Sequence, residues 1–286
     1  GGGPAQTRGA KAAEAMNDKS YTWNASDYAN HSSAQFEWAK ELIGKLRLLG
    51  DEAVLDVGCG DGKVTALIAE HLPNGLAAGI DSSPDMVGLA GKSHPAPKHP
   101  NLTFQQMDAR RISFDRLFDV VFSNAALHWV KEQDAVLAGV RASLKEGGRL
   151  LFQMGGKGNA GEVLAVIDRL ATRTPWREHL EGVPFPWTFL DVEEYERLLT
   201  EAGFRPMRIE LVAKDMVQKG REGLAGWIRT TWLPYIERIP NQLRESFVSE
   251  ILDEYLAENP LDANGFAHVR MVRLEVEATA GGRKQP

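Results

Sequence analysis

The fold of this chain is decided by the stretch Leu55-Asp56-Val57-Gly58-Cys59-Gly60-Asp61-Gly62. Residues 53–57 form a short apolar run with glycines directly after it, which is typical of a buried parallel strand. Glycines in the spacing Gly-x-Gly-x-Gly let the backbone turn tightly and approach a ligand closely, although a plain tight turn would also use them. The spacing differs from the dinucleotide-binding fingerprint Gly-x-Gly-x-x-Gly. The stretch predicts a strand, a ligand-binding turn and then a helix.

Short apolar strands alternate with helices on both sides of this turn. Further strands are predicted at residues 76–80, 102–106, 118–123 and 149–154. Helices are predicted at residues 36–46, 63–71, 84–91 and 133–144. A succession of this kind builds a parallel sheet with helices on both faces, so the predicted fold class is α/β.

The second half of the chain has a different pattern. Helices are predicted at residues 162–172 and 192–201, and residues 208–213 and 268–277 alternate as strands do. These two strands should pair antiparallel at the edge of the sheet. A largely helical insertion, residues 220–261, lies between them. We expect it to form a lid over the carboxyl ends of the strands, where open α/β sheets bind ligands.

These patterns predict four regions. They are a disordered arm at residues 1–19, a cap helix at 20–50, a ligand-binding core at 51–155, and the remaining strands at 156–286 with the lid at about 215–262.

Composition excludes several classes of protein and site. Cys59 is the single cysteine of the 286 residues, so neither an intramolecular disulfide nor a cysteine-rich zinc site is available, and we expect no metal site. The net charge is -6 without a block of like charges, which does not favour a nucleic-acid partner. No apolar run approaches the roughly 20 residues that span a bilayer. We expect a cytoplasmic monomer or weak dimer that contacts no membrane.

Acidic residues stand at the ends of three predicted strands. Asp56 and Asp61 would pair with a ligand's ammonium rather than with a pyrophosphate. Asp81 ends the second strand, and its carboxylate can accept both hydroxyls of a ribose, although it could also cap the next helix. Asp108 follows the third strand and can accept a hydrogen bond from an adenine amino group. The three strand ends together favour a ligand with an amino-acid part, a ribose and an adenine.

Residues 50–155 resemble the core of the class I S-adenosylmethionine-dependent methyltransferases. Residues 56–60 are similar to the first motif of that family, Asp81 to its ribose-binding acid, and Asp108-Ala109 to its adenine-binding pair. The resemblance implies a Rossmann-like seven-stranded sheet whose last strand is antiparallel. It also implies S-adenosylmethionine as cofactor and S-adenosylhomocysteine as product. The implied cofactor-binding residues are Tyr21, Asp56, Gly58, Cys59, Gly60, Asp81, Ser82, Met86, Asp108, Ala109 and Asn124.

A narrower resemblance covers most of the chain. Residues 122–129, 153–154, 227–231 and 234–235 look like those of trans-aconitate methyltransferases, which esterify a small acid. The chain also resembles juvenile hormone acid methyltransferases at Tyr21, Ser33, Gln35 and His128-Trp129. By that likeness, Gln35 and Trp129 would hold the carboxylate of a small-molecule acceptor. His128 departs from the trans-aconitate enzymes, which tend to have glutamine there.

The role of His128 stays open at this level. A carboxylate is already ionised near neutral pH, so O-methylation of an acid needs no general base and His128 would act as a donor. As a base it would serve a C- or N-methyltransferase, with Glu181 as another candidate. It could also be a packed histidine beneath the lid. A third hypothesis is a binding module that keeps the fold without catalysis. The predicted catalytic residues are Gln35, His128 and Trp129.

Overall fold

The computed structural model describes residues 33–281, with side chains described from Phe36 onward. The predicted arm at residues 1–19 and the predicted site residue Tyr21 lie outside the described residues. For Gln35 only the backbone is described, in the helix α1 (Ser33–Leu46).

A seven-stranded sheet forms the centre of the structure. Its strands are β1 (Ala53–Val57), β2 (Leu76–Asp81), β3 (Leu102–Gln106), β4 (Phe118–Asn124), β5 (Leu144–Gly155), β6 (Phe204–Lys219) and β7 (Phe266–Ala280). They lie in the order β3-β2-β1-β4-β5-β7-β6. The first five run parallel, while β7 is antiparallel to both β5 and β6. The predicted α/β class and the antiparallel last strand are therefore confirmed.

Helices cover both faces of this sheet. Besides α1 they are α2 (Lys63–Glu70), α3 (Pro84–Ser93), α4 (Gln133–Ser143), α5 (Gly161–Leu170), α6 (Arg177–Leu180), α7 (Val192–Glu201), α8 (Gly220–Thr231), α9 (Leu233–Ile236) and α10 (Arg244–Glu258). One hydrophobic cluster joins α1 and α2 to one face, and a second joins α4 and α7 to the other. No helix between residues 33 and 281 is long and apolar enough to cross a membrane.

The strands β6 and β7 are longer than their sequence patterns predict. They have 16 and 15 residues and pair from Phe204 with Ala280 to Lys219 with Phe266. The sheet strand β5 meets only the part of β7 from Arg273 to Thr279, so the rest of the pair is a two-stranded ribbon. The pattern of alternating apolar residues does not reveal the full length of these strands, because the ribbon contains many polar residues. Cross-strand ion pairs such as His268 with Asp215 take the place of apolar contacts there.

The helices α8, α9 and α10 follow the end of this ribbon, and we refer to them as the lid helices. Together with α5 they form a third hydrophobic cluster against the ribbon strand β7. Trp227, Trp232, Tyr235 and Phe247 are buried in that cluster. The lid helices therefore have a packed core of their own, attached to the sheet through the ribbon.

Candidate functional site

The glycine turn after β1 is held against the carboxyl end of β2. The backbone N–H groups of Gly58 and Cys59 both donate to the carbonyl oxygen of Ile80, at 2.8 and 3.0 Å. Gly58 and Gly60 have φ values of +79° and +53°, which favour glycine. A Cβ atom at Gly60 would meet nothing within 4 Å, so this side of the turn is open to a ligand.

Gly58 also joins the turn to the loop after β4. A Cβ atom at Gly58 would lie 2.2 Å from the Cβ of Ala126. Such a contact is impossible without movement of the backbone, because Ala126 has no flexible side chain to shift. The absence of a side chain at Gly58 therefore lets the β1 turn and the β4 loop, which carries His128 and Trp129, touch directly.

Asp81 organises the same edge of the sheet. Its Oδ2 accepts from the N–H of Gly60 at 3.0 Å, and its Oδ1 accepts from the N–H of Ser83 at 2.9 Å. Burial raises the pKa of the Asp81 carboxyl, although these backbone donors oppose the shift. Ser83, rather than Asp81 or Ser82, caps α3 by accepting from the N–H of Met86. The alternative of Asp81 as a helix cap is therefore wrong.

Asp56 is buried behind the glycine turn. Its side chain is 2% exposed, and its Oδ2 accepts from the hydroxyl of Thr65 in α2 at 2.7 Å. Burial raises the pKa of the Asp56 carboxyl to about 7, and the Thr65 hydrogen bond opposes the shift. The carboxylate thus lies beneath the turn rather than on its open side, at a position where a nearby positive charge would change its ionisation.

The remaining predicted cofactor residues surround the turn. Cys59 packs against Gly79, and burial raises the pKa of its thiol, so it does not act as a nucleophile near neutral pH. The Asp108 carboxylate already accepts hydrogen bonds from the guanidinium of Arg110, which hold its pKa below the usual range. Asn124 is the last residue of β4, next to the loop that touches Gly58. Across residues 33–281 no group of acids, histidines and the cysteine is placed to hold a metal ion.

A cavity of about 40 Å³ begins at the same β4 loop and extends under the lid helices. Five aromatic side chains line it: Trp129, Trp187, Phe189, Trp227 and Trp232. Its polar lining residues are His128, Asn159, Thr231 and Arg273. The cavity therefore lies where the sequence predicted an acceptor site, and the lid helices supply part of its wall.

His128 is held as a neutral ring. It is 8% exposed, and its Nδ1 accepts from the backbone N–H of Gly155 at 3.3 Å. Burial and the nearby charge of Arg273 keep the pKa of the imidazole well below 6.5. A neutral imidazole whose Nδ1 accepts must carry its proton on Nε2, which makes Nε2 a hydrogen-bond donor.

Arg273 is a site residue that the sequence analysis missed. It is 3% exposed and lies beside Gly155 in the pairing of β7 with β5. Its guanidinium lies over the ring of Trp38 in α1, 5.7 Å from the ring centroid. Its position in β7 could have identified it, because Arg273 lies on the same buried face of the strand as Val269 and Met271. A buried arginine normally pairs with a buried anion or belongs to a binding site.

The structure separates the tryptophans near the lid helices into two groups. Trp187, Trp227 and Trp232 line the cavity, whereas Trp176 packs on Phe247 and donates to Glu250. Glu181, the alternative base, is exposed at the end of α6 and does not line the cavity. The structure therefore gives no support to Glu181 as a base at this cavity.

Similarity to known proteins agrees with this geometry. A family model described as a methyltransferase domain matches residues 54–148. The trans-aconitate 2-methyltransferase of Deinococcus radiodurans is 30% identical over 261 residues, 88% of this chain and 96% of that enzyme. An uncharacterised methyltransferase of Schizosaccharomyces pombe is 32% identical over 203 residues, 67% of this chain and 74% of that protein. One similar solved structure is phosphoethanolamine N-methyltransferase 2 of Haemonchus contortus, in complex with phosphomonomethylethanolamine and S-adenosylhomocysteine. Its TM-score is 0.58 at 18% identity, and the match covers 90% of this chain and 57% of that one.

Proposed function

This chain belongs to the class I S-adenosylmethionine-dependent methyltransferases, close to the trans-aconitate methyltransferases, and we propose that it methylates a carboxylate of a small organic acid. The relative from Deinococcus radiodurans, which matches over nearly its whole length, is named for such an acid. The product would be a methyl ester and S-adenosylhomocysteine.

The observation that carries this proposal is the set of hydrogen-bond donors around the cavity. His128 donates through Nε2, and Arg273 presents a guanidinium, which has donors and no acceptor. An ionised carboxylate has only acceptors, and the planar guanidinium matches its shape. A neutral His128 with its proton on Nε2 has no free nitrogen to take a proton from an acceptor, which disfavours its role as a base.

Positioning is sufficient for this reaction. Bound S-adenosylmethionine supplies an electrophilic methyl group on a sulfonium, and a carboxylate oxygen can take it without losing a proton. Holding two reactants close and aligned is worth roughly 7–11 kcal/mol. In our proposal His128 and Arg273 orient the acid, Trp129 adds a donor, and the lid helices exclude water. Gln35 keeps its predicted role as a further donor to the carboxylate.

The cofactor is assigned to the carboxyl ends of β1, β2, β3 and β4. The open side of Gly60 gives it room, and Asp81 retains its predicted role toward the ribose. The other residues proposed to contact the cofactor are Tyr21, Gly58, Cys59, Ser82, Met86, Asp108, Ala109 and Asn124, whereas Asp56 would act through its charge from beneath the turn.

Cofactor affinity should depend on pH through Asp56. Its pKa is about 7 in the folded protein, against roughly 3.9 in an unfolded chain, so the free protein loses stability as the pH rises from about 4 to about 7. The ammonium group of the ligand would favour the ionised carboxylate and expel its proton. We expect the affinity for S-adenosylhomocysteine to rise about tenfold between pH 6 and pH 8 and then to level off.

Titration calorimetry at several pH values measures this effect. Asp56→Asn should remove the dependence on pH. Asp119→Asn is the matched control, because the pKa of Asp119 is lowered and its carboxylate does not titrate in this range. A dependence that persists in Asp56→Asn would assign the proton to another group.

The chemical nature of the product tests the proposed function. The purified protein is incubated with methyl-labelled S-adenosylmethionine and a panel of small acids, and the labelled product is treated with base. A methyl ester releases its label as methanol. A product that keeps its label in base is a C- or N-methyl compound and contradicts the proposal.

Two substitutions of His128 separate a donor from a base. His128→Gln keeps an N–H donor but has no group that takes a proton, whereas His128→Ala has neither. For a donor, we expect His128→Gln to retain activity within about tenfold of the wild type and His128→Ala to lose clearly more, since the loss of a buried hydrogen bond costs about 1–3 kcal/mol. Equal, near-complete loss of kcat in both variants would indicate a base. Binding of S-adenosylhomocysteine serves as the control for folding.

A further inference from the structure

Two indole N–H groups of the lid helices are buried without a hydrogen-bond partner. Trp227 is 1% exposed and Trp232 is 3% exposed, and both line the acceptor cavity. Among the described residues, the Nε1 atom of neither ring has an acceptor. Buried indole N–H groups normally find one, because leaving a donor unsatisfied is costly. The two indole N–H groups are therefore available to an acceptor atom of a bound ligand.

The wall between these rings and His128 is aromatic. Trp129 contacts Trp187, Trp187 contacts Trp232, and Trp232 contacts Trp227, with ring centroids 5.5, 5.1 and 5.6 Å apart. Phe189 stacks on Trp187 at 5.7 Å. A wall of this kind favours an apolar, flat ligand body.

Charge limits the number of carboxylates on that ligand. Among the described residues that line the cavity, Arg273 is the only charged side chain, because His128 is neutral. One guanidinium compensates one carboxylate. A second or third carboxylate would be desolvated without a cation, which is strongly unfavourable.

The number of donors requires another oxygen on the ligand. A carboxylate offers about four lone-pair positions, and one must stay free for the incoming methyl group. The donors that the proposed function already assigns to the carboxylate, on Arg273, His128, Trp129 and Gln35, are enough to fill the other three. The indole N–H groups of Trp227 and Trp232 then need a different acceptor atom, and an uncharged one suits neutral donors.

We propose that Trp227 and Trp232 are specificity-determining residues, which bind an uncharged oxygen on a monocarboxylic acid with a flat apolar body. The acceptor class is thus an aromatic or similarly flat acid that carries a hydroxyl or carbonyl oxygen away from its carboxylate. This inference rests on the proposed carboxyl methylation and narrows it, since it disfavours an acid with three carboxylates.

A matched set of acids tests the substrate class. Cinnamate, its 3-hydroxy and 4-hydroxy derivatives and trans-aconitate are compared as acceptors by kcat/KM. We expect at least one hydroxycinnamate to exceed cinnamate about tenfold, as for a site built around a hydrogen bond, and trans-aconitate to be the poorest. If trans-aconitate is the best acceptor, the inference is overturned while carboxyl methylation stands. If no acid in a wider panel yields a base-labile ester, the proposed function itself fails.

Phenylalanine variants test the two residues directly. Trp227→Phe and Trp232→Phe keep an aromatic ring and remove the N–H. We expect each to reduce the preference for hydroxycinnamate over cinnamate toward one, because cinnamate has no second oxygen for the indole N–H to bind. Trp176→Phe is the control, because the Trp176 N–H donates to Glu250 outside the cavity. An unchanged preference in both variants, with thermal stabilisation by S-adenosylhomocysteine retained, overturns the assignment.

Discussion

Gly58→Ala is expected to abolish cofactor binding and methyl transfer. The new methyl group would lie 2.2 Å from the Cβ of Ala126, so the β1 turn and the β4 loop must separate. The φ of +79° adds a backbone cost of about 1–2 kcal/mol for any residue with a side chain. Both effects fall on the turn that we propose to hold the cofactor and on the loop that carries His128. We expect the Kd for S-adenosylhomocysteine to rise more than about 100-fold, the equivalent of roughly 3 kcal/mol.

Gly147→Ala is the matched control for this prediction. Gly147 has a φ of +73°, and a Cβ there would meet nothing within 4 Å. The substitution therefore measures the backbone cost alone, near the amino-terminal end of β5 and opposite to the carboxyl edge that carries the proposed site. It should lower the thermal midpoint slightly and leave the affinity for S-adenosylhomocysteine unchanged. Wild-type affinity in Gly58→Ala would show that the contact between the two loops is not required for binding.

Arg273→Met is expected to lower kcat/KM for the acid about 100-fold while cofactor binding stays intact. The substitution removes the one charge that lines the acceptor cavity in the described structure, and it preserves most of the side chain's length. Hydrogen bonds to charged groups contribute about 1.5–3 kcal/mol each, which corresponds to roughly 10- to 150-fold in kcat/KM. The proposed cofactor site lies at β1 and β2, and the strands β4 and β5 separate β1 from β7. The affinity for S-adenosylhomocysteine should therefore be unchanged.

Two further variants and a spectroscopic measurement sharpen this test. Arg270→Met changes an exposed arginine of the same strand and should leave kcat/KM unaffected. Arg273→Lys keeps the charge but loses the planar fork, so its activity should lie between those of the wild type and Arg273→Met. NMR titration of His128 should show a higher pKa in Arg273→Met, because Arg273 lowers that pKa. Wild-type kcat/KM in Arg273→Met would contradict a role in acid binding.

Much of the part of the fold to which the cofactor is assigned, the strands β1 to β4 and their helices, could be predicted from the sequence. Its strands and helices alternate regularly, and several predicted site residues, among them Gly58, Asp81 and Asn124, stand at or just after the end of a strand. Parallel neighbours bring their carboxyl ends to one edge of the sheet, so the turn at Gly58 and the acid Asp81 had to meet there. The direction of a side chain was less predictable. Asp56 was expected to face the ligand, but the pleat of β1 turns it toward Thr65 in α2.

The part of the fold that forms the proposed acceptor cavity could be predicted only in outline. The composition of this region does not tell which tryptophans face a ligand: the structure places Trp187, Trp227 and Trp232 in the cavity and Trp176 in the hydrophobic cluster of the lid helices. The cavity is built from the β4 loop, the loop around Trp187, the lid helices and β7, which are far apart in the chain. No periodicity links such segments, because their contacts depend on how the ribbon and the lid pack.

The sequence by itself determined that the chain is a class I methyltransferase and where the cofactor edge lies, because a glycine turn and strand-end acids act through local backbone geometry and regular strand order. Only the tertiary structure decided what faces the acceptor. The antiparallel insertion of β7 between β5 and β6 sets Arg273 beside Gly155, and the fold brings Trp227 and Trp232 into the same cavity as His128. These residues are about a hundred positions apart or more, and their placement depends on long-range pairing and burial rather than on any local pattern.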